Sequence, residues 1–359
     1  MVEAFLDHPP VGFSPLRFGA PARPTPAFLM SFGLLTSLDS SKKRLLRSLP
    51  LLRNLENLLR MPALFVGTTV SEYALYPPSL DPIPWIEALL EASKQRGSRL
   101  IILKDLPSDS PLLSEEENRF AADLLSRCVE RGFFPLWGQA LAYVKVDFDS
   151  MESYLQRQSA ARRKNLRRKL KASASIEVEA LPTGDERLCD PAFVETLFTL
   201  YMDVYRQSEI HFDQLTLPFF RAILQSGEAN GVVFLYRQEG KLIGFNLCFV
   251  QGGNLIDKYI GFLYPEARAA NLYFVSWFHN LEYAIRHRLK FYVAGWTDPE
   301  VKRFLGASFT FTRHAVYLHN PLLRALLKRV GRLFEADSNQ LRAQRGPSAL
   351  EADSEERGR

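Results

Sequence analysis

The chain is poor in cysteine and histidine, with three cysteines and six histidines among 359 residues. Cys128, Cys189 and Cys248 are widely separated and follow no shared spacing, so we predict neither a disulfide framework nor a zinc site. The histidines show no metal-ligand spacing either, and no metal cofactor is expected. Sparse, unpaired cysteines are typical of a reducing compartment, which favours a cytoplasmic location.

Long apolar runs and glycine-rich motifs are also missing. No stretch of about 18 apolar residues occurs, so no membrane-spanning helix is predicted. The first residues include Glu3 and Asp7 where a secretory signal would be basic and then apolar. Phosphate-loop, nucleophile-elbow and dinucleotide-binding motifs do not occur, which leaves hydrolase, NTPase and dehydrogenase functions without support.

Positive charge is concentrated in one segment. The net charge is only +5, but eight of the fifteen residues from Arg157 to Lys171 are Lys or Arg. Such a run is typical of a nucleic-acid arm, a membrane-surface helix, a phosphate clamp or a solvated helix face. No aromatic residue interrupts the run, which argues against binding of single-stranded nucleic acid.

The length predicts two domains, and both halves alternate strands with helices. The second half reads strand, two helices, three strands, helix, strand, helix, strand, and its three central strands are joined by the glycine-bearing turns "QEG" and "GG". The predicted segments are a lead-in at 1–25, a first domain at 26–150, a basic connector helix at 151–173, a second domain at 174–318, an amphipathic helix at 319–336 and a disordered tail at 337–359.

The order of three antiparallel strands, a loop and a helix resembles the GNAT acyltransferase fold. The connector "SYLQRQSAARRKNLRRKLKAS" and the stretch "IDKYIGFLYPEARAANLYFVSWFHNLEYAI", followed by "AGWTDPEVKRFLGASF", are similar to FemAB-like N-acyltransferases and Fem peptidyltransferases. The resemblance covers residues 25–318 by architecture and 150–310 by motif. It implies a mixed α/β fold of two GNAT-like domains in tandem, each a mostly antiparallel central sheet flanked by helices.

The function implied by this resemblance is N-acyl transfer. The donor would be a thioester on acyl-CoA or acyl carrier protein, and the acceptor a small molecule or other partner bearing an amine. Direct attack is expected, since no cysteine lies in a nucleophile motif. Two alternatives stay open: aminoacyl-tRNA-dependent peptidyl transfer of the Fem type, with tRNA as the nucleic-acid partner, and a non-enzymatic adaptor that binds a membrane or nucleic acid.

The loop "PEARAANLYF" is the candidate donor site. GNAT enzymes carry Gln/Arg-x-x-Gly-x-Gly/Ala there, and backbone N–H groups at the helix start hold a pyrophosphate. Arg268 takes the first position, while Asn271 and Tyr273 replace the small residues and would crowd the phosphates. The alternative is an ordinary loop in which Asn271 caps the next helix.

Three residues are candidates for catalysis. Asp257 and Tyr259 of "DKYIG" are predicted to face the same side of a strand, as base and as proton donor, with a surface pair of Asp257 and Lys258 as the alternative. His211 lies in the polar segment 205–214, which would border the acceptor site in a GNAT fold.

Further cations are candidates for binding. Lys302 in "GWTDPEVKRFLG" would contact a phosphate or carboxylate, unless its helix is merely solvated. Arg163 and Arg167 share one helix face and would meet phosphates of the donor, whereas Arg162, Leu166 and Leu170 would turn toward protein. The basic amphipathic helix at 320–336 would pack on its own domain or touch the inner face of a membrane.

Overall fold

The chain folds into two units, each of which takes segments from both ends of the sequence. The computed structural model describes residues 1–19, 24–33, 60–74, 76, 77, 79–208 and 212–330. The first unit consists of Gly12–Ala140 with Thr310–Arg359, and the second of Met1–Val11 with Leu141–Phe309.

The strands and helices alternate along most of the described chain. In chain order the strands are β1 (Ser14–Phe18), β2 (Thr25–Gly33), β3 (Arg60–Val66), β4 (Leu100–Ser108), β5 (Phe134–Lys145), β6 (Glu177–Pro182), β7 (Gly231–Gln238), β8 (Lys241–Gln251), β9 (Asn254–Phe262), β10 (Phe291–Gly295) and β11 (Ser308–Leu318). The α-helices are α1 (Val2–Asp7), α2 (Pro82–Gln95), α3 (Glu115–Glu130), α4 (Met151–Gln156), α5 (Ala160–Leu170), α6 (Pro191–Gln207), α7 (Leu217–Gln225), α8 (Glu266–Ala269), α9 (Leu272–Arg286), α10 (Pro299–Phe304) and α11 (Pro321–Val330).

The first unit is built on the strand order β1-β2-β3-β4-β11, with β5 beside β11. Residues 63–66 of β3 run parallel to 100–103 of β4, whereas β1 with β2, β2 with β3, and β4 with β11 pair antiparallel. Local signals predict its helices well: Asp81 caps α2, and Ser114 with Glu117 forms the capping box of α3. Trp85 of α2 and Leu124 of α3 enter the buried core beneath the sheet.

The second unit has the strand order β6-β7-β8-β9-β10, with β5 next to β10. Strand β9 runs parallel to β10, and the remaining pairs are antiparallel. Phe234 of β7, Trp277 of α9 and Tyr292 of β10 lie in its buried core. Mixed α/β architecture with mostly antiparallel strand pairing and flanking helices is therefore confirmed.

The last strand of each half of the sequence lies in the sheet of the other half. Strand β11 ends the second half but pairs with β4, and residues 142–145 of β5 pair with β10. The predicted domains at 26–150 and 174–318 assigned each half its own last strand. In the structure the corresponding boundaries between the two units instead fall after Ala140 and after Phe309. A strand's apolar pattern specifies its buried face but not which strand it pairs with.

Residues 1–19 are more ordered than a lead-in. Phe5 and Leu6 of α1 are buried in the second unit, and the Val11 N–H donates to the carbonyl of Gln214 at 2.9 Å. β1 then begins the sheet of the first unit at Ser14. The prediction of a loose segment at 1–25 needs correction, because these apolar side chains find partners far along the sequence.

The basic connector is two helices where one was predicted over 151–173. The side chain of Ser150 caps α4, and the side chain of Ser159 accepts from the N–H of Arg162 to start α5. A short 3₁₀ helix at Lys171–Ser175 follows. Leu166 is fully buried, as its place on the apolar line predicts.

The predicted amphipathic helix is described as far as Val330. Leu322 is 80% exposed, whereas Leu323 and Leu327 of the same stripe are half-buried. Residues 331–336 and the tail at 337–359 lie outside the described residues. Nowhere in the described part does a helix combine the length and the apolar character that crossing a membrane requires.

Candidate active site

A gap opens where the parallel strands β9 and β10 stop pairing. Their register pairs join Asn254–Ile256 to Phe291–Val293, while β9 continues to Phe262. A bulge between Val293 and Gly295 shifts β10 in its pairing with β5. Ligands of open α/β sheets commonly bind beyond the carboxyl ends of such strands. The residues around this gap are therefore the first candidates for a site.

A bulge in β9 sets the direction of two predicted catalytic side chains. Leu247 of β8 lies opposite Tyr259 and Cys248 lies opposite Asp257, so Lys258 is the extra residue. Asp257 and Tyr259 consequently face opposite sides of the sheet, and the prediction that they share a side is wrong. The Tyr259 ring packs edge-on against Tyr201 and Phe219, at centroid distances of 6.1 and 6.3 Å.

The Asp257 carboxylate is the centre of a hydrogen-bond network. Asn246 Nδ2 donates to Oδ1 at 2.6 Å, while Tyr292 Oη and Asn280 Nδ2 donate to Oδ2 at 2.9 and 3.2 Å. Burial raises the pKa of Asp257, and these hydrogen bonds, together with the charge of Lys302, work in the opposite direction. Asp257 thus joins β8, β9, α9 and β10 at the gap.

Sequence reasoning missed the three donors around Asp257. Asn246 and Asn280 are fully buried, and Asn280 Nδ2 also donates to Asn246 Oδ1 at 2.6 Å. A signal was available, because Asn246 interrupts the apolar run "LIGFNLCFV" and Asn280 lies on the buried side of a helix. Buried amides need partners, so polar residues inside apolar runs indicate a network.

Lys302 brings a cation to the same gap. The residue is 5% exposed, and a Cβ built on Gly295 would lie 3.8 Å from its Nζ and 3.8 Å from the carbonyl oxygen of Asp257. Burial lowers the pKa of Lys302 to about 8, against the opposing effect of Asp257 and Asp298. In the described part of the chain the ammonium makes no hydrogen bond or ion pair.

The candidate donor loop lies at the start of α9. Asn271 occupies the N-cap position of α9, as the alternative interpretation had it, but it adopts a left-handed conformation with φ of 50° and makes no side-chain capping bond. Arg268 Nη2 donates to Gln207 Oε1 at 2.9 Å and its guanidinium lies over the Tyr264 ring. Tyr273 is half-buried. Burial is the main cause of its raised pKa, and the charges of the nearby carboxylates Asp298 and Asp257 raise the pKa further.

The other predicted residues are not brought into this network. Arg167 pairs with Glu152 at 2.5 Å on the surface of the connector, and Arg163 Nη1 lies 3.5 Å from the carbonyl oxygens of Gln156 and Gln158. His211 lies outside the described residues. The structure therefore groups Asp257, Lys302 and Tyr273 and leaves the two arginines apart from them.

The cysteine at the network is unsuited to nucleophilic attack. Burial raises the pKa of the Cys248 thiol well above its ordinary value, and Asp257 raises it further. Its Sγ donates weakly to Asn246 Oδ1 at 3.4 Å. No group of three or more histidine, cysteine or acidic side chains suitable for a metal occurs among the described residues.

Comparison with known proteins gives a family and a fold. The model of the FemAB-like family, described as peptidoglycan biosynthesis/recognition, matches residues 100–344. FemX is 12% identical with a TM-score of 0.51, covering 91% of this chain and 97% of its own. The DUF2156 domain of a putative lysylphosphatidylglycerol synthetase from Agrobacterium fabrum is 14% identical with a TM-score of 0.50, covering 74% and 82%. No curated protein matches the sequence.

Proposed function

We propose, from the premise that the chain belongs to the FemAB-like family, that it transfers an acyl or aminoacyl group from an activated ester to an amine. The family match supports a transferase of this broad class. The observation that carries the proposal is the desolvated ammonium of Lys302 at the gap between β9 and β10, which has no hydrogen-bond or ion-pair partner in the described chain.

Acyl transfer needs positive charge and a proton at the reacting carbonyl. When an amine attacks an ester, negative charge develops on the carbonyl oxygen and then on the leaving atom. An ammonium with a pKa of about 8 is mostly charged at neutral pH and still acidic enough to protonate a leaving oxygen or sulfur. Lys302 would therefore act as the electrostatic stabiliser and general acid, and the proton that the attacking nitrogen loses as the amide forms would restore the Lys302 ammonium.

Asp257 would act as the positioning residue for Lys302. Both its oxygens already accept hydrogen bonds from Asn246, Asn280 and Tyr292, so proton abstraction is not the role that the geometry favours. Its charge raises the pKa of Lys302 and thus keeps the lysine protonated. Tyr273, near the same carboxylates, would line the donor side of the gap.

The donor we propose first is a thioester on acyl-CoA or acyl carrier protein. Two features disfavour the usual pyrophosphate pose of CoA: Tyr273 stands at the expected glycine or alanine position, and Arg268 is engaged with Gln207 and Tyr264. A phosphopantetheine arm on a carrier protein avoids this crowding, since its single phosphate stays with the carrier.

An aminoacyl ester of tRNA is the second candidate donor. A ribose oxygen is a poorer leaving group than a thiolate and gains more from a general acid. The half-buried or exposed cations of α5 would suit the backbone of an RNA. Contact of the 320–336 helix with a membrane remains a prediction.

Mass spectrometry of transfer products would test the proposal. The full chain would be incubated with acyl-CoAs of several lengths, acyl carrier protein thioesters and aminoacyl-tRNA, each with a mixture of primary amines. We expect one donor class to give an amide product, and Lys302→Met to lower kcat/KM by about a hundredfold or more. Lys104→Met in the first unit is the matched control.

Failure of every donor to yield an amide above the uncatalysed rate would contradict the proposal. A product formed equally by wild type and Lys302→Met would contradict the assignment of Lys302 and leave the transfer reaction standing.

A further inference from the structure

A second candidate site lies in the second unit, away from the Asp257 network. A pocket of about 410 Å³ is bordered by the end of β5, the break between α4 and α5, and the turn that follows α10. Such a volume is within the range of small-molecule sites. Lys302 is buried at the gap, whereas its neighbour Arg303 lines this pocket.

The pocket is rich in cations. Lys145, Arg157, Arg162 and Arg303 line it, and Asp147 is the one acidic residue among its lining residues in the described chain. The Asp147 carboxylate pairs with Arg157 and lies 3.8 Å from Lys145 Nζ. Partial burial opposes ionisation, but the Arg157 hydrogen bond and charge lower the pKa of Asp147, so this pair is charged at neutral pH.

Arg162 is held in place by neutral groups, and Arg157 by an aromatic ring and by Asp147. The guanidinium of Arg162 lies over the Phe304 ring, 5.7 Å from the ring centroid, and donates a hydrogen bond to Gln158 Oε1 at 3.0 Å. Arg157 lies over the Phe148 ring at 5.0 Å. Stacking on a ring leaves the remaining N–H groups of Arg162 available, whereas Nη1 and Nη2 of Arg157 already donate to the carboxylate and the carbonyl of Asp147. Side chains that are fixed in this way lose less entropy when a ligand binds.

Gly306 makes this arrangement possible. Its φ is 90°, and a Cβ there would come within 2.5 Å of Gln158 Nε2. The absent side chain lets Gln158, the partner of Arg162, approach the turn that carries Arg303. The pocket therefore depends on a backbone position that favours glycine.

We infer that this pocket binds the diphosphate group of a phosphorylated small molecule. Planar guanidinium forks match phosphate oxygens, and charge-assisted bonds to phosphate are stronger than neutral ones. A single phosphate monoester carries about −1.5 to −2 charges at pH 7, and a diphosphate carries more, which suits four cations opposed by one carboxylate. The inference does not rest on the proposed transfer reaction.

Isothermal titration of the full chain would test this site. The probes are inorganic pyrophosphate, ADP, inorganic phosphate, and citrate as an anion without phosphorus. We expect pyrophosphate and ADP to bind more tightly than phosphate and citrate, with affinity falling as salt rises. Equal affinity for pyrophosphate and ADP would place recognition in the phosphates alone, whereas tighter ADP binding would add the nucleoside; either result supports the site.

Variants locate the binding. Arg162→Ala and Arg303→Ala should each weaken pyrophosphate binding by about tenfold or more, since each removes charge-assisted hydrogen bonds. Arg187→Ala, which removes a surface arginine paired with Glu179 and Asp185, is the matched control and should change the affinity by less than twofold. Circular dichroism of each variant would show that its fold is kept.

Three results would overturn the inference: no pyrophosphate binding to the wild type, citrate binding as tight as pyrophosphate, or equal losses in Arg162→Ala and Arg187→Ala. Lys302→Met should keep its pyrophosphate affinity. The experiments can therefore contradict the diphosphate site without contradicting the transfer reaction, and they can contradict the transfer reaction without contradicting the site.

Discussion

Each unit has a lysine close to the end of a parallel strand pair, and the two lysines are satisfied differently. In the first unit, Lys104 follows the pairing of β3 with β4; its Nζ pairs with Asp105 and donates to the carbonyl of Thr68 at 2.7 Å. In the second unit, Lys302 reaches the end of the β9 and β10 pairing from α10 and has no hydrogen-bond or ion-pair partner among the described residues.

We interpret Lys104 as a structural cation, whereas a functional role for Lys302 is our proposal. An ammonium held by an adjacent carboxylate and a carbonyl stabilises its own fold and has little left for a ligand. A desolvated ammonium without such partners costs stability, and that cost is typical of groups kept for binding or catalysis. The surroundings of Asp105 are also filled by protein, since its backbone N–H donates to His314 Nδ1 at 3.0 Å.

Removing the two lysines should change stability in opposite directions. Lys104→Met leaves Asp105, which is 9% exposed, without its ion pair and should lower the free energy of unfolding by about 3 kcal/mol. Lys302→Met removes an unpaired buried cation and should leave stability unchanged or raise it by about 1 kcal/mol. Urea unfolding of both variants at pH 7 measures the change in the free energy of unfolding. An equal loss of stability in both variants would contradict the proposed difference between the two lysines.

The pH dependence of stability should reveal Lys302. Its folded pKa of about 8 is lower than the ordinary value of 10.5, so between these values the unfolded chain holds more protons. Wild-type stability should therefore rise with pH from about 8 to 10.5 relative to Lys302→Met, by about 2 to 3 kcal/mol. Chemical unfolding across that range gives the difference, and parallel curves would show that Lys302 is not desolvated.

Replacing Gly138 or Gly295 by alanine should lower stability by different amounts, because the first glycine is closely packed and the second is not. A Cβ on Gly138 would lie 2.1 Å from Thr312 Oγ1, so Gly138→Ala should cost about 2 kcal/mol through overpacking of the first unit. A Cβ on Gly295 meets nothing closer than 3.8 Å, and its φ of 79° alone should cost about 1 kcal/mol. Thermal unfolding ranks the two, and a larger loss for Gly295→Ala would mean that the gap is closed.

The smallest expected effect concerns Asp257. Asp257→Asn removes a charge that raises the pKa of Lys302, so the alkaline fall in kcat/KM should move down by about one pH unit from its wild-type position near pH 8. The pH–rate profile with the donor identified by product analysis measures this shift. Asn280→Ala removes a hydrogen bond but no charge and should move the profile less; equal shifts would assign Asp257 a purely structural role.

Much of the fold could be predicted from short segments of sequence. Asp81, Ser114 and Thr216 start helices where their spacing indicates, and the turns "QEG" and "GG" join three antiparallel strands. These features are local, since a cap or a tight turn is satisfied within a few residues. Lys302 and Asp257 could be singled out for the same reason, from the motifs that contain them.

The grouping of the site could not be predicted from those segments. The bulge at Lys258 turns Tyr259 away from Asp257, and a strict alternation of side chains does not anticipate it. Asn246 and Asn280 can be assigned to the site only once the structure shows that β8 and α9 bring both side chains to the Asp257 carboxylate. Arg163 and Arg167 share a helix face as predicted, yet Arg167 pairs with Glu152 and neither arginine contacts the Asp257 network.

The sequence by itself determined the helices and turns, the family resemblance and the charge of the connector, because each depends on neighbours along the chain. Tertiary structure alone decided that β11 pairs with β4, that residues 142–145 of β5 pair with β10, and that a lysine on α10 is buried beside Gly295 and Asp257. Desolvation and strand partnership depend on residues tens of positions apart, and a local pattern does not contain them.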